Sequence, residues 1–326
     1  MIKLVENELL KLIRKRKLVV VILIMTVLIS MFTYAQFREQ ERLSEKVGTT
    51  DWRTSLQQSI VDRQNRLSAT GITEERKQQM QISISQQQYY LDHDINPSEP
   101  GAPTFVREFL QHAIQLLLPL LVMIISADIV SSEHAAGTVK LLLTRPVKRW
   151  RILLSKYITL TLSVSFLILS FAVLSYFISG IVFGFNGWSA PIITGFSVEN
   201  GQLSTAGVHL VPQWKFLLMI FGLVWLVSQV VGTLSFMLST LIKSTAAGMG
   251  VMLALLISGM ILTSMVSSWE SAKYLFMVNL TPTNYLTGGT PPIEGMTLGF
   301  SLVVLLVWGV AGFIVSFLSF TRKDVY

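Results

Sequence analysis

Few side chains in this sequence are placed to do chemistry inside apolar surroundings. Asp128 is one, at the end of a run that begins near Phe109. A carboxylate there either forms a substrate or ion site, or sits at a membrane interface and meets water or a nearby lysine, because an uncompensated charge in lipid is costly. The second is the stronger expectation, since an ion-driven carrier needs more mid-membrane carboxylates than this chain has. Gln111, His112 and Gln115 share one side of the same run at helical spacing. They fit the lining of a polar exit or a packing face for a neighbouring segment. Pro119 removes a backbone donor in the middle of the run and is expected to kink it.

The patterns of an autonomous enzyme are missing. There is no G-x-x-x-x-G-K-[ST] loop, so the chain is not expected to hydrolyse ATP by itself. H-E-x-x-H and G-x-S-x-G are absent too. His93, His112, His134 and His209 are scattered, and none stands four residues from another. Asp92-His93-Asp94 reads as a solvated loop after a helix. With no cysteine, disulfides, thiolate metal sites and a cysteine nucleophile are excluded. The expectation is a chain that is not an enzyme and binds no metal or cofactor of its own.

These residues are carried by long apolar segments. Of the 326 residues 51% are apolar and 14% charged, with a mean hydropathy of +0.56. Soluble domains carry about 25% charged residues. A span needs roughly 20 apolar residues, and six runs qualify: 18–36, 105–130, 152–178, 214–242, 246–266 and 297–320. The first is expected to be a retained anchor, because no small-residue cleavage site follows it. The expected fold class is an all-α membrane protein with six transmembrane helices.

The net charge of +7 would point to nucleic acid in a soluble protein. Here its distribution indicates orientation instead. Segment 1–17, the loop region 131–156, Lys243 and the tail 321–326 together hold fifteen of the 26 Lys and Arg, against Glu6, Glu8, Glu133 and Asp324. By the positive-inside rule that side is cytoplasmic, with both termini inside the cell membrane. Ile2, Val5, Leu9, Leu12 and Ile13 give 1–17 the period of a basic amphipathic helix in the lipid interface.

Three segments fall outside. Segment 37–104, rich in Gln, Arg and Glu, breaks at 68–71 and predicts an extracellular helical hairpin. A gate at the exit, a partner-binding arm and a plain insertion are all open to it. Segments 179–213 and 267–296 are Gly- and Pro-rich and fit short re-entrant or interfacial helices. Trp188, Trp214, Trp269, Tyr274 and Tyr285 would form an outer aromatic belt.

The loop 131–151 is the most specific stretch. A short helix is expected from about Glu133 to Leu143, with Glu133 in its first turn and Pro146 opening the next helix. The pattern Glu133-x-x-x-Gly137-Thr138, then leucines, then Arg145-Pro146-x-x-Arg149 and Lys156, resembles the hallmark loop of ABC-2-type exporter permeases. The N-terminal Asn7-Glu8-Leu9-Leu10-Lys11 to Arg14-Lys15-Arg16-Lys17 and the ending Phe320-Thr321-Arg322-Lys323-Asp324 are similar to that family's ends.

The resemblance implies a permease subunit whose loop helix couples to a separate ATP-binding-cassette ATPase. It implies a second permease subunit, identical or related, and ATP–Mg held by the partner. Glu133, Gly137, Thr138, Arg145, Pro146 and Arg149 become the expected coupling residues. Asp128, Gln111, Gln115 and Pro119 become candidates for the path or an interface. Membrane lipid is an expected partner and nucleic acid is not. The alternatives are a secondary transporter or channel, for which intramembrane charges or inverted repeats are wanted, and a membrane-anchored immunity or sensor protein.

Overall fold

The computed structural model describes residues 1–47, 51–68, 72, 74–97, 99–135, 147–199, 202–265 and 269–322. The amphipathic start forms α1 (Ile2–Arg14), with Leu12 buried and Ile2, Leu10 and Ile13 exposed. Arg16 then takes a left-handed conformation at φ 54°. For a non-glycine residue that costs about 1–3 kcal/mol, and it turns the chain directly into α2 (Lys17–Val47). The polar segment that follows forms α3 (Trp52–Leu67) and α4 (Glu74–Asp92). These two pack on one another, and Gln87 Nε2 donates to Ser59 Oγ at 3.2 Å.

The second apolar run is not one continuous helix. It forms α5 (Ala102–Ala113) and α6 (Leu117–Ser126), and the two axes bend by 68°. The break covers residues 114–116, not Pro119 itself. The physical reason is that proline acts on the turn before it. Pro119 has no N–H for the Gln115 carbonyl, and its ring crowds that carbonyl. A turn then leads into α7 (Ser131–Ala135). The remainder of the expected loop helix, from Ala136 to Leu143, and the turn to Pro146 lie outside the described residues.

The long helices α8 (Arg149–Phe183), α9 (Gln213–Leu241), α10 (Thr245–Met265) and α11 (Leu298–Arg322) complete the bundle. Five helices, α2, α8, α9, α10 and α11, are each long and apolar enough to cross a membrane, and α5 with α6 qualifies as a bent pair. Between lipid-surrounded helices there is little hydrophobic drive, so packing and interhelical hydrogen bonds must hold them together. Helices α8 and α9 show this plainly. Trp225 Nε1 donates to Ser165 Oγ (2.9 Å), Gln229 Nε2 donates to Thr161 Oγ1 (2.8 Å), and the Tyr157 and Thr233 hydroxyls meet at 3.1 Å. In membranes such bonds are worth about 0.6–2 kcal/mol each.

The expectation of short helices in 179–213 needs correction. Helix α8 continues to Phe183, and the described residues of 191–212 form an arm of two nested antiparallel ribbons. In it β1 (Pro191–Thr194) pairs with β4 (His209–Pro212), and β2 (Ser197–Glu199) with β3 (Gln202–Ser204). The β1 register sets Ile192 opposite Val211 and Ile193 opposite Leu210. Short apolar runs rich in β-branched residues and bounded by Gly and Pro favour strands over helices.

Segment 269–296 carries three short 3₁₀ helices, Glu270–Tyr274, Phe276–Asn279 and Pro282–Thr287. Asn279 Nδ2 donates to the carbonyls of Lys273 and Leu275, both at 2.8 Å, and so satisfies irregular backbone. This end of the bundle is also tied to α4. Gln86 Nε2 donates to the carbonyls of Thr287 (3.1 Å) and Gly288 (3.0 Å). Gly288 caps the last 3₁₀ turn in a left-handed conformation (φ 69°), and a Cβ there would run into Phe196.

Candidate functional site

Among the described residues, a dense group of charges lies at the end of the bundle where α1, α7 and the start of α8 meet. Glu8 and Lys11 on α1 and Lys15 at its C-cap stand at i, i+3 and i+7, so one face carries all three. Helix α7 presents Glu133, and α8 presents Lys156 two turns from its start. Lys156 Nζ donates to Glu8 Oε2 (2.7 Å), Glu133 Oε1 (2.8 Å) and the Ile129 carbonyl (3.1 Å). Its three protons therefore have three acceptors, and its side chain is 0% exposed. Lys11 Nζ reaches the same two carboxylates, Glu8 at 2.6 Å and Glu133 at 2.9 Å. The quartet of two ammoniums and two carboxylates is neutral, which is what allows a lysine to be buried there. Burial by itself would push the Lys11 ammonium down. Hydrogen bonds and attraction from Glu8 and Glu133 outweigh it and hold Lys11 above its ordinary value.

Asp128 forms a second group beside the first. Its Oδ2 pairs with Lys17 at 2.6 Å and Lys15 at 3.2 Å, and Lys15 also donates to Ser132 Oγ at 3.0 Å. The left-handed turn at Arg16 lets lysines on either side of it reach one carboxylate. Asp128 is thus buried, with two lysines on one carboxylate oxygen.

The turn leading into α7 is held from the opposite side. Ser239 Oγ on α9 accepts from the backbone N–H groups of Val130 (3.1 Å) and Ser131 (2.9 Å). These are donors at a helix start, which have no partner within the helix. The Ser131 hydroxyl lies 2.8 Å from that of Thr245, the first residue of α10. The elbow from Asp128 to Ala135 therefore touches α1, α8, α9 and α10 through specific polar contacts.

Of the expected coupling residues, Glu133 lies in the quartet and Arg149 is the first residue of α8. Gly137, Thr138, Arg145 and Pro146 lie outside the described residues. The structure does not bring Gln111, Gln115 and Pro119 to this cluster. Gln111 lies on α5, Gln115 in the break and Pro119 on α6, towards the other half of the bent pair. The sequence reading placed Glu8 and Lys156 in the stretches that carry the family resemblance and counted them as charges of flanking segments, but did not name them as site residues. A signal was present: Lys156 follows Ile152-Leu153-Leu154-Ser155 inside an apolar run, and an ionisable residue in such a run marks a site by default. Among the described residues no three His, Cys, Asp or Glu side chains come together as a metal site.

A family model described as "Protein of unknown function (DUF2705)" matches residues 76–326. The chain is 30% identical over 249 residues to "Uncharacterized protein YhcI" of Bacillus subtilis (strain 168), covering 74% of this chain and 75% of that protein. It is 29% identical over 215 residues to "Uncharacterized membrane protein YdbK" of the same organism, covering 65% of this chain and 80% of that protein. With the apolar helices described above, these matches identify a predominantly helical, multi-pass membrane protein.

Proposed function

This chain belongs to the DUF2705 family, and on that premise we propose that it is the membrane-spanning subunit of an ATP-driven exporter of the ABC-2 type. In this reading α2, the bent pair α5–α6, α8, α9, α10 and α11 are six spans. Both termini are cytoplasmic, and α3 with α4 forms an extracellular hairpin. A second permease subunit, identical or related, completes the path, and a separate ATP-binding-cassette ATPase supplies ATP–Mg. The cargo class is an antimicrobial peptide, a drug or a lipid-like molecule.

One observation carries the reading beyond the loop motif: the Glu133 carboxylate contacts both Lys11 of α1 and Lys156 of α8. A push on the elbow by a docked ATPase is then delivered to two helices through short ion pairs, as a rigid-body switch requires. The test is affinity purification of the tagged chain from its own cell membranes, with a co-purifying cassette ATPase identified by mass spectrometry. Wild-type protein is expected to retain the ATPase, and a variant lacking residues 136–143 is expected to lose it while keeping its thermal transition. A well-folded protein lacking residues 136–143 that still binds the ATPase overturns the proposal.

A further inference from the structure

At the end of the bundle away from α1, two recesses share one wall, Trp188. The first is an apolar cavity of about 290 Å³ between α5, α8 and α9, lined by Val106, Ala172, Tyr176, Leu217 and Phe221 among others. The second is an open recess of about 510 Å³ lined by Glu99, Asn186, Ser189 and Pro191. The loop carrying Trp188 is held in place. Trp214 N–H donates to the Trp188 carbonyl at 3.0 Å, and Trp188 Nε1 donates to the Tyr176 hydroxyl at 3.1 Å. Gly101 lets the Asn186 carbonyl approach, because a Cβ at that position would collide with it. The indole donor is already satisfied, so the cavity wall asks for hydrocarbon.

We propose that these recesses form one binding site for a single-chain cationic amphiphile, with its alkyl tail in the cavity and its head beside Glu99. The volume of the cavity lies near the lower limit of about 300 Å³ for small-molecule sites, which suits one chain and not a diacyl lipid. Among the described residues neither recess is lined by Lys or Arg, and Glu99 is the one charged residue of the pair. An anionic head would meet only like charge there, which selects against it. Trp and Tyr at this level favour a ligand with one apolar and one wet end. The site stands independently of the exporter reading, because it requires binding and not transport.

The test uses the full chain in nanodiscs of zwitterionic lipid. The probe is an alkylammonium of about twelve carbons with a photoreactive diazirine at the chain end, and labelled peptides are mapped by mass spectrometry. Label is expected within 172–176 or 217–221 and is displaced by unlabelled alkylammonium. Ala172→Phe and Leu218→Trp, which fill the cavity from less buried lining positions, should each remove it with an unchanged melting temperature. Glu99→Gln should weaken the cationic probe about two- to fivefold, the range of an exposed ion pair, and leave an uncharged alkyl probe unaffected. Three results overturn the proposal: no displacement on the wild-type chain, equal labelling by an alkyl sulfate probe, and equal labelling by a phosphatidylcholine carrying the same diazirine.

Discussion

Lys156 Nζ and Glu133 Oε1 are 2.8 Å apart, and no part of the Lys156 side chain meets solvent. That pair joins α8 to the elbow, and the second carboxylate on the same ammonium, Glu8, adds α1. Sequence separations of 23 and 148 residues are closed at one nitrogen.

Removing that ammonium leaves two buried carboxylates to share Lys11. Lys156→Met is therefore expected to destabilise the chain by about 3–5 kcal/mol, the cost of breaking a buried pair. Glu133→Gln in the Lys156→Met background should cost less than it does alone, because the lost attraction cannot be lost twice. Chemical unfolding in detergent of the two single variants and the double variant measures this. Strict additivity would show that the two residues do not interact.

Ser239→Ala leaves the Val130 and Ser131 N–H groups without their acceptor. The expected loss is about 1–3 kcal/mol, the cost of stranding a buried donor. Faster amide exchange should be confined to residues 130–132. Unchanged protection there would mean that the turn does not depend on α9.

Gln86→Ala cuts the tie between α4 and the last 3₁₀ turn. The Gly288 and Gly289 amides, which donate to Tyr285 (3.4 Å) and Asn284 (2.8 Å), should exchange about two- to tenfold faster, as the loss of one or two ordinary hydrogen bonds implies. Exchange at wild-type rates would show that Phe196 packing alone holds the turn.

The apolar runs were legible because lipid imposes length and polarity on every span, and the basic period of α1 was legible for a related reason. The α3 and α4 boundaries followed from the turn residues at 68–71, and Asp128 from the cost of an isolated charge. Lys156 was hidden by its position next to a basic loop, where an orientation charge and a buried cation look alike. The break at 114–116 was displaced from its cause, since Pro119 acts on the carbonyl four residues earlier. The β arm was obscured because Pro191–Thr194 and His209–Pro212 are four residues each, too short to outweigh the Gly-rich sequence around them. Their pairing spans a separation that periodicity does not measure.

The contacts between α8 and α9 have a vernier-like property. Ser165, Thr161 and Tyr157 descend one helix in steps of four while Trp225, Gln229 and Thr233 climb the other in the same step. A slide of one or two residues dismantles every rung together. A slide of four, about 6 Å at 1.5 Å per residue, aligns two rungs again with exchanged partners, Gln229 facing Ser165 and Thr233 facing Thr161, or the equivalent pairing in the opposite direction. The seam therefore has notches one turn apart, and intermediate positions along it are disfavoured.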